Sequence, residues 1–185
     1  MYIKGKIVTL RAIEERDLEM IREMFNDCEI ENLVIGWAFP VSSMAQKQWW
    51  LNNYGDQKNH RFVIETEEDG AVGIATLTNI DWKNRVANHG IKLANRQNRT
   101  KGIGTDTVMA IMRYAFDELQ LHRLEGSWFA FNAPSVGLYK KCGWREEGIK
   151  RSCINKSGEY RDLTIAGILE SDYRELVASN HYWDK

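Results

Sequence analysis

Arg99-Thr100-Lys101-Gly102-Ile103-Gly104 stands at the head of a helical apolar pattern, and Asn132 and Tyr139 follow after one more strand. A glycine-containing loop that runs into a helix turns main-chain N–H groups toward an anion. The helix start adds its positive dipole end. Arg96, Arg99 and Lys101 gather positive charge at the same place, so the segment reads as a cradle for a ligand with at least two phosphates. Seven residues after Asn132, the Tyr139 phenol is a proton donor for the far end of that ligand, or else an amphipathic core tyrosine. Asn132 offers a polar contact and is also a good helix N-cap before Ala-Pro-Ser.

Other phosphate motifs fail on detail. No Gly-x-x-x-x-Gly-Lys-Ser/Thr string occurs, and a dinucleotide fingerprint would need glycine or alanine where Thr107 stands. Taken alone, Gly102 and Gly104 read equally well as a turn before a helix.

The elements that must position these residues follow from period. Lys6 to Ala12 alternates as a strand, and Leu18, Ile21, Met24 and Phe25 share a helical face within Glu14 to Phe25. Ser42 or Ser43 caps a second helix carrying Ala45, Trp49 and Trp50, while Glu29 to Pro40 is an apolar loop or short helix. Arg61 to Thr66 and Ala71 to Thr78 make a hairpin around Glu67-Glu68-Asp69-Gly70. Val86 to Leu93 is the fourth strand, Ile103 to Leu119 a helix, and Leu124 to Phe131 a fifth strand expected to be buried on both faces. Ser135 to Lys141 is a short helix stopped by Gly143. Trp144 to Ile154 and Tyr160 to Leu169 form the last hairpin, and Ser171 to Lys185 a terminal helix with an aromatic tail, His181-Tyr182-Trp183. The mixture of meanders and helical crossovers predicts an α+β (mixed α/β) fold, with about seven strands and about four to five helices in a single domain over 1–185.

Bulk properties exclude several classes. The chain of 185 residues has 43% hydrophobic and 28% charged residues and a net charge of −1. It has no global pull toward nucleic acid or anionic membrane. Cys28, Cys142 and Cys153 form no CxxC pair, and the four histidines lack metal-ligand spacing, so neither a metal site nor a disulfide framework is expected. No apolar stretch reaches a bilayer-spanning length and no signal peptide opens the chain, which predicts a cytoplasmic protein.

Arg99-x-x-Gly-x-Gly resembles the acyl-CoA loop of the GNAT N-acetyltransferase superfamily. The resemblance continues through His122-Arg123-Leu124-Glu125, Asn132-Ala133-Pro134-Ser135 and Leu138-Tyr139-Lys140-Lys141-Cys142-Gly143-Trp144, and on through Arg145 to Arg151 and Gly158 to Asp162. It spans about Lys6 to Leu169 and is similar to the branch of ribosomal-protein N-terminal acetyltransferases and small-molecule acetyltransferases. It implies acetyl-CoA as cosubstrate, bound where the fourth and fifth strands splay. The contacts would come from Ile91, Lys92 and Leu93, from Arg99, Thr100, Lys101, Gly102, Ile103, Gly104 and Thr105, and from Asn132 and Ser135. A main-chain N–H near Lys92 or Leu93 would polarise the thioester, and Tyr139 would protonate the leaving thiolate.

The acceptor ammonium, with a pKa of about 10, must lose a proton. Many relatives carry a carboxylate where this chain has Asn88, which cannot serve. Glu125, amid Leu124, Trp128 and Phe129, is the leading base, or else a structural carboxylate paired with Arg123 or Arg113. His89 titrates in the right range, but its phase with Ala87 and Ile91 favours a core histidine; a water chain is the third option. Acceptors in view are a polyamine, aminoglycoside or amino sugar, or a peptide N-terminus. They would be held by aromatics among Trp37, Phe39, Trp49, Trp50, Tyr54 and Tyr160, with Asp162, Glu29 and Glu31 offering negative charge. A non-catalytic acyl-CoA-binding sensor or adaptor is the alternative. The aromatic tail is expected to pack on a second copy in a homodimer.

Overall fold

The computed structural model describes residues 2–36, 39–53, 55–94 and 101–184. Its strands are β1 (Ile3–Lys4), β2 (Val8–Arg11), β3 (His60–Thr66), β4 (Gly70–Asp81), β5 (Val86–Leu93), β6 (Arg123–Trp128), β7 (Arg145–Lys156) and β8 (Glu159–Leu169). Its α-helices are α1 (Leu18–Asn26), α2 (Cys28–Leu33), α3 (Ser43–Asn52), α4 (Ile103–Arg113), α5 (Ala133–Lys141) and α6 (Glu170–Asn180). The strands form one sheet in the order β1-β2-β3-β4-β5-β6-β8-β7. Every neighbouring pair is antiparallel except β5 and β6.

That exception creates the site. β5 and β6 pair in parallel only from Val86 opposite Arg123 to Asn88 opposite Glu125, although both strands run on, to Leu93 and Trp128. Beyond Asn88 they part, as expected of the fourth and fifth strands, and unpaired β5 main chain faces the gap.

Strand alternation distributes the core over both faces of the sheet. Ala75 and Leu77 of β4 join the larger cluster, with Val108, Met109 and Met112 of α4, Leu124 and Ile168. Ile74, of opposite phase, packs with Ile21, Met24 and Ile30 of α1 and α2. Local signals place the connections. Ser42 Oγ accepts from Ala45 N to cap α3, and Asp27 accepts from Glu29 N and Ile30 N to cap α2. The β7–β8 turn uses Ser157 at φ 53° and Gly158 at φ 84°, the two left-handed residues of a two-residue hairpin.

Several expectations are corrected. An eighth strand, β1, pairs Ile3 with Leu10; of the loop or short helix read over Glu29 to Pro40, the structure has the helix α2, which begins one residue earlier at Cys28. The expected strand Leu124 to Phe131 ends at Trp128 and is buried on one face only: Leu124 and Trp128 are buried, Glu125 and Ser127 are not. The aromatic tail packs on its own chain. Tyr182 Oη donates to Asp106 Oδ1 at 2.9 Å, Trp183 Nε1 donates to Tyr173 Oη at 2.8 Å, and the Arg113 guanidinium lies 3.9 Å over the Trp183 ring. The rings proposed to hold a second subunit are thus engaged within the chain.

Candidate active site

A cavity of about 860 Å³ opens at the parted strands. Its lining includes Gly102, Gly104 and Thr105 of the α4 start, Phe25, Trp49 and Arg61, and Tyr139. Gly102 is the N-cap of α4 at φ 81°, ψ −3°, a left-handed conformation that costs any residue with a Cβ. Gly102, Gly104 and Thr105 line the cavity, so the start of α4, where the helix dipole favours an anion, borders it. The chemistry of that helix start therefore fits a pyrophosphate.

The remaining loop residues divide. Arg96, Arg99 and Thr100 lie outside the described residues. The Lys101 ammonium is turned to the β3–β4 turn, with its Nζ 2.8 Å from Asp69 Oδ2. Ile103 is a core residue, 1% exposed.

In the gap, main-chain direction separates the β5 residues. A Cβ on Gly73 of β4 would come within 2.2 Å of the Lys92 carbonyl oxygen, so the Lys92 peptide faces β4. Alternation then turns the main chain of Ile91 and Leu93 toward the gap. The Lys92 side chain projects from the other edge of the cavity, with Nζ 4.7 Å over the Phe25 ring.

Tyr139 is held by rings on three sides. It stacks on Trp128 at 5.2 Å and 15°, meets Trp144 edge-on at 4.9 Å, and meets His89 edge-on at 5.9 Å. Burial pushes its phenol pKa well above the usual range. The group stays protonated at any working pH, which is the state a proton donor needs. Asn132 caps α5 through Ser135 N at 3.3 Å, and its Nδ2 donates to the Leu33 carbonyl at 3.0 Å. It therefore ties α5, which carries Tyr139, to the end of α2.

Neither side-chain base is supported. Glu125 sits on the strand face opposite Leu124 and Trp128, because alternate residues point opposite ways. It does not line the cavity, and its Oε1 accepts from Arg123 Nε at 2.9 Å. The apolar surroundings inferred from adjacent sequence positions belong to the other side of β6, so Glu125 as base is corrected to a structural ion pair. His89 lines the cavity, and its Nδ1 donates to the Thr76 carbonyl at 2.9 Å. Burial lowers its pKa to about 4, so it is a weak proton acceptor at neutral pH.

That shift has a stability consequence. Unfolded His89 takes a proton near 6.5 while the folded ring resists until about 4. The folded state should therefore be fully favoured above pH 6.5 and lose stability as pH falls, by ~3 kcal/mol on approaching pH 4. Urea unfolding at pH 7.5 and 4.5 of wild type and His89→Gln should show a smaller acid loss in the variant. An equal loss in both would dismiss the assignment.

The acceptor-side residues also sort themselves. Trp37 and Tyr54 lie outside the described residues. Trp50 Nε1 donates to the Ile13 carbonyl, and Asp162 accepts from Ser152 N across the last hairpin, so both serve the fold. Phe39 and Tyr160 are exposed, at 70% and 69%. Glu31 is tied to Lys156, and Glu29, on α2, does not line the cavity. Two contributors escaped sequence reasoning: the Trp128 and Trp144 rings that clamp Tyr139, and the side chains of Arg61 and Lys92 on the cavity wall. The first pair looks like ordinary core, and the second like two of many surface cations.

A family model described as a GNAT acetyltransferase domain matches residues 10–165. The spermidine N(1)-acetyltransferase of Vibrio cholerae is 30% identical over 170 residues, covering 90% of this chain and 95% of that protein. The crystal structure of a V. cholerae spermidine N-acetyltransferase with CoA and spermine superposes with a TM-score of 0.86 at 26% identity, covering 92% of this chain and 99% of that one. A dodecameric structure of the V. cholerae enzyme matches with a TM-score of 0.78 at 26% identity, over 91% and 97% of the two chains.

Proposed function

The chain belongs to the GNAT acetyltransferase family and is an acetyl-CoA-dependent N-acetyltransferase, and from that premise we propose a direct transfer within a ternary complex. The acceptor is a small-molecule amine. Its neutral nitrogen attacks the thioester carbonyl, the carbon–sulfur bond breaks, and the Tyr139 phenol donates its proton to the departing thiolate. Main-chain N–H of Ile91 or Leu93 stabilises the oxyanion. Gly102, Gly104 and Thr105 hold the pyrophosphate, with Arg99 and Thr100 as further contacts. Ser135 contributes beside Asn132, and the amine proton leaves through water at the open acceptor end.

One observation carries this reading: a single cavity is lined by both the α4 start and Trp49 and has a buried, unionised phenol on its wall. The alternatives kept for the acceptor are a polyamine, aminoglycoside, amino sugar or peptide N-terminus. The dodecameric V. cholerae relative supports self-association of this chain.

The test is CoA thiol release from acetyl-CoA against a panel of amines, with wild type and Glu125→Gln. Release should depend on the amine, and the variant should keep turnover within about three-fold, since its carboxylate only pairs with Arg123. Release without amine dependence would overturn direct transfer. A drop of 100-fold or more in the variant, with CoA binding retained, would restore Glu125 as base.

A further inference from the structure

The part of the cavity lined by Phe25, Trp49 and Arg61 carries cations and, among the described residues, no acid. Arg61 and Lys92 both line it, whereas no Asp or Glu does among the described residues. Neither cation forms an ion pair among those residues. Arg61 donates to Asn53 Oδ1, and its guanidinium lies 5.4 Å over the Trp49 ring. Lys92 Nζ lies 4.7 Å over the Phe25 ring. The two rings meet edge to face at 6.4 Å, so cation, ring, ring and cation form one continuous wall. The neighbouring acids are used elsewhere. Asp56, the acid that acts on Arg61, accepts from Lys58 N, Asn59 N and Asn59 Nδ2, and Glu31 is tied to Lys156. Burial pulls the pKa of both Arg61 and Lys92 down, and Lys156 adds like-charge repulsion at Lys92.

The sheet register brings the two cations to one face. Arg61 of β3 lies opposite Thr76 of β4, which lies opposite Gly90 of β5, and Lys92 follows two residues on. Their Cα atoms are then roughly 12 Å apart from strand spacing and rise. Long side chains converging from that separation leave room for one small anionic group between them. The aromatic faces that a cationic acceptor would use are already covered by the protein's own cations.

We propose that the acceptor is a small amine that also carries an anionic group, a carboxylate or a phosphate, held between Arg61 and Lys92. This rests on the transfer reading above and narrows its acceptor. The anion replaces the missing counter-ions of two desolvated cations, a charge-assisted contact stronger than a neutral hydrogen bond. A polyamine, with positive charge along its length, would instead meet like charge in a partly desolvated site.

Matched pairs test the charge directly: leucine against leucine amide, and O-phosphoethanolamine against ethanolamine, with spermidine alongside. Binding to the CoA-loaded protein is measured by calorimetry, and turnover is measured separately by thiol release. At least one anionic member should bind about 10-fold or more tightly than its uncharged partner, and which pair does so distinguishes carboxylate from phosphate. Arg61→Gln and Lys92→Met should each reduce that ratio to below about three-fold when measured on protein saturated with CoA. Lys92→Met keeps an apolar contact to Phe25, so it serves if Arg61→Gln does not fold. Equal binding within both pairs, tighter binding of spermidine, or a ratio that survives the folded variants would overturn the proposal. Turnover reports on the transfer reading independently: anion preference without turnover would sustain the acceptor class while defeating transfer.

Discussion

Replacing Tyr139 with phenylalanine is expected to lower kcat about 100-fold or more, within the usual range for a lost general acid, while thermal protection by CoA is unchanged. The phenyl ring keeps the stack on Trp128 and the edge contacts to Trp144 and His89. The variant should therefore fold and hold its cosubstrate, and only the O–H is lost. Without it the thiolate must leave unprotonated or wait for water, and the loss falls on kcat rather than on KM for acetyl-CoA. Because burial raises the phenol pKa, wild-type kcat should not decline between pH 7 and 9 through loss of this proton. A variant retaining more than a third of wild-type kcat would exclude Tyr139 as the acid and leave water in that role.

The second large effect lies at the foot of α4. Asp106, 2% exposed, accepts from Lys6 N, Ile7 N and Val8 N, and from the Tyr182 hydroxyl. One carboxylate thus joins the β1–β2 turn, α4 and the C-terminal tail. Asp106→Ala would strand three main-chain donors and a phenol, and should cost about 3–5 kcal/mol in urea unfolding. Asp106→Asn should fall between, since its amide nitrogen cannot accept. Affinity for CoA should weaken as well, because Gly102 is the cap of the same helix. A loss under about 1 kcal/mol for the alanine variant would mean that the turn finds other acceptors.

These two residues differ in how readily they could be read. Tyr139 stands seven positions after a helix-capping asparagine and beyond a glycine loop, and the family resemblance singles it out there as the expected proton donor. Asp106 is one acidic residue in the first turn of a helix, an ordinary place for one. Nothing local says that residues about a hundred positions earlier donate to it. Glu125 makes the converse case. Its sequence neighbours Leu124, Trp128 and Phe129 suggested a desolvated carboxylate. Strand alternation puts Leu124 and Trp128 on the opposite face and leaves Glu125 with Arg123.

The sequence by itself determined what short-range sterics and periodicity control. It set the order of the strands from β2 onward, the left-handed turn at Ser157-Gly158, the caps at Ser42 and Asn132, and the glycine loop that opens α4. These depend on a residue and its near neighbours. Tertiary structure decided which groups meet. It ended the β5–β6 pairing at Asn88, clamped Tyr139 between two tryptophans, and brought Arg61 and Lys92 to one wall that carries no acid among the described residues. Those outcomes rest on the register between segments far apart in the chain. A shift of one residue in a strand exchanges its two faces, so no local pattern fixes which side chains a cavity receives.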